Sequence, residues 1–148
     1  MATPMTRSIV VSAGLLLSLS IGGCELFVIG GGSRKPVPIE RSQRSAPGVV
    51  HLFKAELDSG NTTAATELML NPMGRPLLAV EKFELADDLQ RWKAIMAQKP
   101  ISETVVDTLT DSTHTVRVTL DYVRTMQFST LRKQNLWWVT KIQDAPKR

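Results

Sequence analysis

The chain of 148 residues has few side chains equipped for chemistry: one cysteine, two histidines, one tyrosine and 14 carboxylates. Their positions decide what they can do. Tyr122 alternates with Val118, Leu120 and Met126 on an expected core face, where a phenol packs its ring and keeps its hydroxyl at the rim. Asp107 and Asp121 fall opposite the apolar faces of their expected strands. Asp87 and Asp88 are neighbours on an expected helix, so their carboxylates point about 100° apart and do not converge as an acid/base pair. They fit a helix start, where negative charge meets the positive end of the dipole. His51 belongs to a helix and His114 to a turn, neither beside a carboxylate pattern, so no metal site is expected.

Cys24 stands in a more telling place. Arg7 leads into the apolar residues Ile9, Val10, Val11, Leu15, Leu16, Leu17, Leu19 and Ile21, and Gly22 and Gly23 precede the cysteine. A positive start, an apolar stretch and small residues make an export signal with a cleavage site. The run Ile21-Gly22-Gly23-Cys24 resembles the lipobox of bacterial lipoproteins. The resemblance implies that residues 1–23 are removed as a signal peptide, that the Cys24 thiol carries a diacylglyceryl group, and that the new amine is acylated too, as by palmitate. Each buried methylene contributes about 0.8 kcal/mol and one chain binds only reversibly, so several chains on Cys24 would hold the protein to membrane lipid. The alternative is an uncleaved membrane helix, because residues 26–29 extend the apolar stretch toward the roughly 20 residues of a span. Glu25 and the glycines Gly22, Gly23, Gly30 and Gly31 weigh against it. With its one thiol given to lipid, the chain has none for a disulfide or a thiolate metal site, and no cofactor is expected.

Removing Arg7 from the 18 basic residues leaves 17 against 14 acidic ones in residues 24–148. The excess is mild, and part of it (Arg34, Lys35, Arg41, Arg44) sits beside the anchor, where anionic lipid attracts it. No basic stripe interleaved with aromatics is present to point to nucleic acid. Residues 24–46 pass from apolar to glycine-rich to charged around Pro36 and Pro38, the composition of a tether with a reach of about 25 Å. Residues 47–148 are left for one domain.

In that domain Ser45 can cap a helix with Pro47 in its first turn and Val49, Val50, Leu52, Phe53 and Leu57 at helical spacing, ended by Gly60. Asn61 is placed to cap a second helix carrying Ala64, Ala65, Leu68 and Met69, stopped by Asn71, Pro72 and Gly74. Leu77, Leu78, Val80, Phe83, Leu85, Leu89, Trp92, Ile95 and Met96 then form one long helix, or two broken between residues 85 and 88, with an apolar stripe wide enough to cover a sheet. From Ile101 the period changes to two. Ile101, Val105 and Leu109 share one face of a first strand, and residues 111–113 turn it. Val116, Val118, Leu120 and Tyr122 begin a second that runs on through Met126 and Phe128, long enough to require a bend or bulge. Residues 136–142 make the last. Three antiparallel strands after a block of helices predict an α+β domain, with the helices on one sheet face.

The opening helices, with Phe53-Lys54-Ala55-Glu56-Leu57-Asp58-Ser59-Gly60-Asn61, then Ala64-Ala65 and Leu68-Met69, resemble those of nuclear transport factor 2-like (ketosteroid isomerase-like) domains. The ending Leu136-Trp137-Trp138-Val139-Thr140-Lys141-Ile142 is similar to the closing strand of that superfamily. The resemblance covers residues 47–143 and implies a cone, a curved antiparallel sheet wrapped around helices with a pocket between them. Tyr122, Phe83, Trp92 and Phe128 are the candidates to line or plug that pocket. Isomerase members use a carboxylate base and a hydrogen-bonding acid there; no such set can be matched in this sequence, and no catalytic residue is assigned. Family members commonly dimerise through the outer sheet face. Consecutive strand residues point to opposite faces, and taking the even positions inward leaves Trp137 and Val139, with Val123, as an outer interface. Three roles remain open. The preferred one is a lipid-anchored envelope module that binds a partner protein or a small apolar ligand; the others are a pocket enzyme of the isomerase or dehydratase kind and a structural subunit of an envelope assembly.

Overall fold

The computed structural model describes residues 38–146; Cys24, the expected signal and most of the expected tether lie outside them. Helix α1 (Ala46–Asp58) begins where Ser45 accepts a hydrogen bond from the Gly48 N–H, with proline in its first turn. Gly48 has no room for a side chain, since a Cβ would stand 2.5 Å from the Ser42 carbonyl oxygen and 2.7 Å from that of Glu40. The segment before α1 therefore lies against the helix. Gln43 then clasps the sheet, accepting from the Trp137 N–H at 2.8 Å and donating from its side chain to the Trp137 carbonyl at 3.1 Å. The last residues assigned to the tether thus pack with the domain.

Asn61 caps α2 (Thr62–Glu67) as its position predicts, accepting from the Ala64 N–H. The long periodic segment is two helices, α3 (Ala79–Glu84) and α4 (Ala86–Met96), joined at Leu85. Leu89, Trp92 and Met96 form the buried stripe of α4. Phe83 lies on α3, before the junction at Leu85, and does not continue that stripe. It is 82 % exposed, so its expected pocket role is corrected. No residue of α3 is buried. Ion pairs hold this helix instead, between Arg75 and Glu81 and between Lys82 and Glu67.

Four strands follow, not three: β1 (Ile101–Thr110), β2 (Thr113–Leu120), β3 (Arg124–Lys133) and β4 (Leu136–Asp144), an antiparallel meander in the order β1-β2-β3-β4. The expected long second strand is cut at Asp121 and Tyr122, both with positive φ (54° and 60°). Positive φ at both central residues is the hairpin arrangement that asparagine and glycine usually signal. Asp-Tyr carries no such signal. Tyr122 accordingly stands in a turn, 87 % exposed, and neither lines a pocket nor faces the core.

The helices cover one face of the sheet. Val49, Val50, Phe53 and Leu57 of α1 pack with Val116, Val118, Leu120, Met126, Phe128, Val139 and Ile142 of the sheet, and with the α4 stripe. Phe53 and Phe128 meet edge to face, with ring centroids 6.1 Å apart. Two register shifts overturn sequence parity. In β1 a shift between Ile101 and Glu103 turns Ile101 toward the core and leaves Val105 opposite Arg117 on the outer face. In β4 a shift opposite Ser129 and Thr130 places Trp137 and Val139 inward together with Ile142. Trp137 is 6 % exposed and Val139 wholly buried, so the proposed outer interface through these two residues is corrected.

The edges of the sheet differ. Leu68 and Leu70 hydrogen bond to Val139 and cover the free edge of β4. Along β1 the outer edge carries Glu103 and Asp107, charges that discourage pairing with another strand.

Candidate functional site

Trp92 and Phe128, two of the four pocket candidates, are core residues between the helices and the sheet. The space between these layers is filled where an enclosed pocket would lie, by Phe53, Met96, Met126 and Phe128, all wholly or almost wholly buried. The outer sheet face lacks Trp137 and Val139 but keeps other apolar members, Val105 among them. Arg117, Thr119 and Thr125 line an open concavity of about 1140 Å³ there, bordered by Val123 of the exposed turn. Arg117 pairs with Asp107 at 2.8 Å across β1 and β2. His114, expected in a turn, belongs to β2 and lies against the buried Trp137, with ring centroids 4.3 Å apart.

With Trp137 turned inward, Trp138 is the tryptophan on the other face of β4, opposite Leu131 of β3. A loop builds a wall beside it. The buried Asn71 side chain accepts from the N–H groups of Met73 and Arg75, each at 3.0 Å. Gly74 sits at the tip with φ +76°, so close to β3 that a Cβ would lie 2.9 Å from Leu131 Cδ2. The Lys133 ammonium donates to the Gly74 carbonyl at 2.6 Å and fastens the loop to the strand. Between this loop, the end of α2 and the half-buried Trp138 lies a groove of about 430 Å³. Met69, Leu70, Pro76 and Leu77 supply its apolar walls, and Glu67, Lys82 and Lys133 its charged side chains. The Trp138 indole N–H reaches toward the Lys133 carbonyl at 3.4 Å, which orients the ring. A groove with an aromatic wall, apolar sides and about as many polar groups, Thr66 and Gln134 beside the charged ones, suits a small amphipathic ligand or a partner's side chain. The sequence signals its parts, a turn at residues 71–74 and a tryptophan pair, but not the strand shift that selects Trp138.

A second, polar cleft of about 470 Å³ lies between α1 and the start of β1, lined by Arg41, His51, Lys54, Asp58 and Lys99 among others. Lys54 is buried and its ammonium bonds both oxygens of Asp58, at 2.8 and 2.9 Å. Asp58 also accepts from the Gln98 N–H at 2.8 Å. His51 Nε2 and the Thr104 hydroxyl are 2.9 Å apart. Burial, and then the charges of Arg41 and Lys54, hold the His51 imidazole below its ordinary pKa of 6.5.

Among the described residues no group of three histidine, cysteine or carboxylate side chains could hold a metal ion. No helix among them is long and apolar enough to cross a membrane. Neither a scan against protein-family models nor a search of curated proteins returned a match.

Proposed function

We propose that the protein is a lipid-anchored component of a bacterial cell envelope whose domain binds a partner protein or a small apolar ligand in the groove beside Trp138. The anchor rests on Cys24 behind its apolar leader and two glycines. The domain is read as a nuclear transport factor 2-like cone on the order of its elements, helices first and then an antiparallel sheet closed by the Trp137-Trp138 strand. One observation carries the binding role: a half-buried tryptophan lines a groove of mixed apolar and charged walls while the layer between helices and sheet is filled. An isomerase-like role would place Tyr122 beside a carboxylate in an enclosed site, and Tyr122 stands in an exposed turn.

The test is affinity capture of the detergent-solubilised protein from its own cells, with mass spectrometry of proteins and small molecules together. The wild type is expected to retain one species that Trp138→Ala loses while its circular dichroism spectrum is unchanged. Equal capture by both forms removes the groove from the account.

A further inference from the structure

We propose that the polar cleft between α1 and the start of β1 binds a small oxyanion of the phosphate class, gripped by Arg41, Lys99 and His51. Basic groups converge there from three separate parts of the chain: Arg41 from the segment entering the domain, His51 and Lys54 from α1, and Lys99 from the connection between α4 and β1. One carboxylate, Asp58, lines the same cleft, and it is already engaged by Lys54 and by the Gln98 N–H. Thr104 on β1 adds a hydroxyl beside the imidazole and no charge.

Arg41 and Lys99 enter no ion pair among the described residues. Arg41 is exposed and Lys99 half-buried, so their like charges repel one another across the mouth of an open cleft. An anion in their midst reverses that repulsion. A guanidinium and an ammonium approaching from different elements, with an imidazole N–H beside them, suit a tetrahedral anion, which accepts hydrogen bonds on several oxygens. The depressed basicity of His51 comes first from burial, and the neighbouring Arg41 and Lys54 charges add to it in the direction of a positive local field. A phosphate could be free in solution or part of a lipid headgroup. The inference is independent of what occupies the Trp138 groove.

The chain contains two histidines, so their ring protons can be followed separately by NMR. The full chain in neutral detergent micelles is titrated with pH in sodium chloride, in about 10 mM orthophosphate at equal ionic strength, and in micelles doped with phosphatidic acid. An anion seated beside His51 favours the imidazolium and raises its apparent pKa by about half a unit or more, roughly threefold in the protonation equilibrium. His114, packed on Trp137 elsewhere in the fold, is expected not to follow. A shift with orthophosphate identifies a soluble ligand, and a shift with the doped micelles alone identifies a headgroup; either supports the site. The double variant Arg41→Gln/Lys99→Gln is expected to abolish the shift while leaving the His114 resonance in place as evidence of an intact fold. No shift in the wild type beyond that in chloride, an equal shift of His114, or a full shift in the double variant overturns the proposal.

Discussion

At the scale of single residues, the phenylalanine pair between α1 and the sheet has the largest expected effect on stability. Phe53 and Phe128 are both wholly buried. Truncating such a ring loses its transfer free energy and leaves a cavity, so Phe128→Ala should destabilise the domain by about 3–5 kcal/mol. Urea unfolding measures this as a lower midpoint; a loss below about 1 kcal/mol would mean that the ring is not packed as described. His51 has a smaller and pH-dependent effect. Its folded pKa lies below 6.5 because of burial and then the nearby Arg41 and Lys54 charges. The unfolded chain therefore takes up a proton that the folded chain resists. Stability is unaffected by this group above about pH 6.5 and falls as pH drops from there through the lower folded value. Thermal midpoints in phosphate-free buffer between about pH 7.5 and 5.5 should decline less in His51→Gln than in the wild type. Parallel slopes would assign the decline to other groups.

At the scale of elements, the hairpin between β2 and β3 uses residues poorly suited to it. Left-handed backbone costs an ordinary L residue roughly 1–2 kcal/mol, and asparagine or glycine relieves part of that cost. Asp121→Asn/Tyr122→Gly should therefore stabilise the domain by about 1 kcal/mol, raising the melting temperature by a few degrees. A lower melting temperature would show that Tyr122 makes a contact worth more than the strain. The substitution exposes nothing, because Tyr122 is already solvent-facing. This turn also shows how far local patterning reaches. Ser45 and Asn61 mark the starts of α1 and α2 because capping is a short-range interaction. A turn without glycine or asparagine leaves no such mark, and two strands read as one.

For the whole molecule, the expected architecture is an anchored domain standing off a membrane on a short tether. The charge balance fits this arrangement, with basic residues Arg34, Lys35, Arg41 and Arg44 gathered between Cys24 and the first helix. Replacing the thiol removes every acyl chain that depends on it, so Cys24→Ser should move the protein out of the membrane fraction of its own cells. Intact-mass analysis of the native protein should find residues 1–23 absent and fatty chains on Cys24. An unmodified Cys24 with Met1 still in place would sink the anchor, while the domain and its groove would stand unaffected.

The sequence by itself determined the kinds of elements and their order: helices first, α1 and α2 with capping residues, then strands of period two, in an α+β domain with one helix-covered sheet face. Those features follow from interactions within a few residues and from apolar periodicity. Tertiary structure decided which side of each strand is inside. A register shift moves neighbouring residues to opposite faces, and it depends on the partner strand rather than on the strand's own residues. The shift in β4 sends Trp137 and Val139 into the core and leaves Trp138 beside the groove. Tertiary packing likewise left Phe83 in solvent, because the break at Leu85 lets α3 hang on ion pairs while α4 alone fills the core.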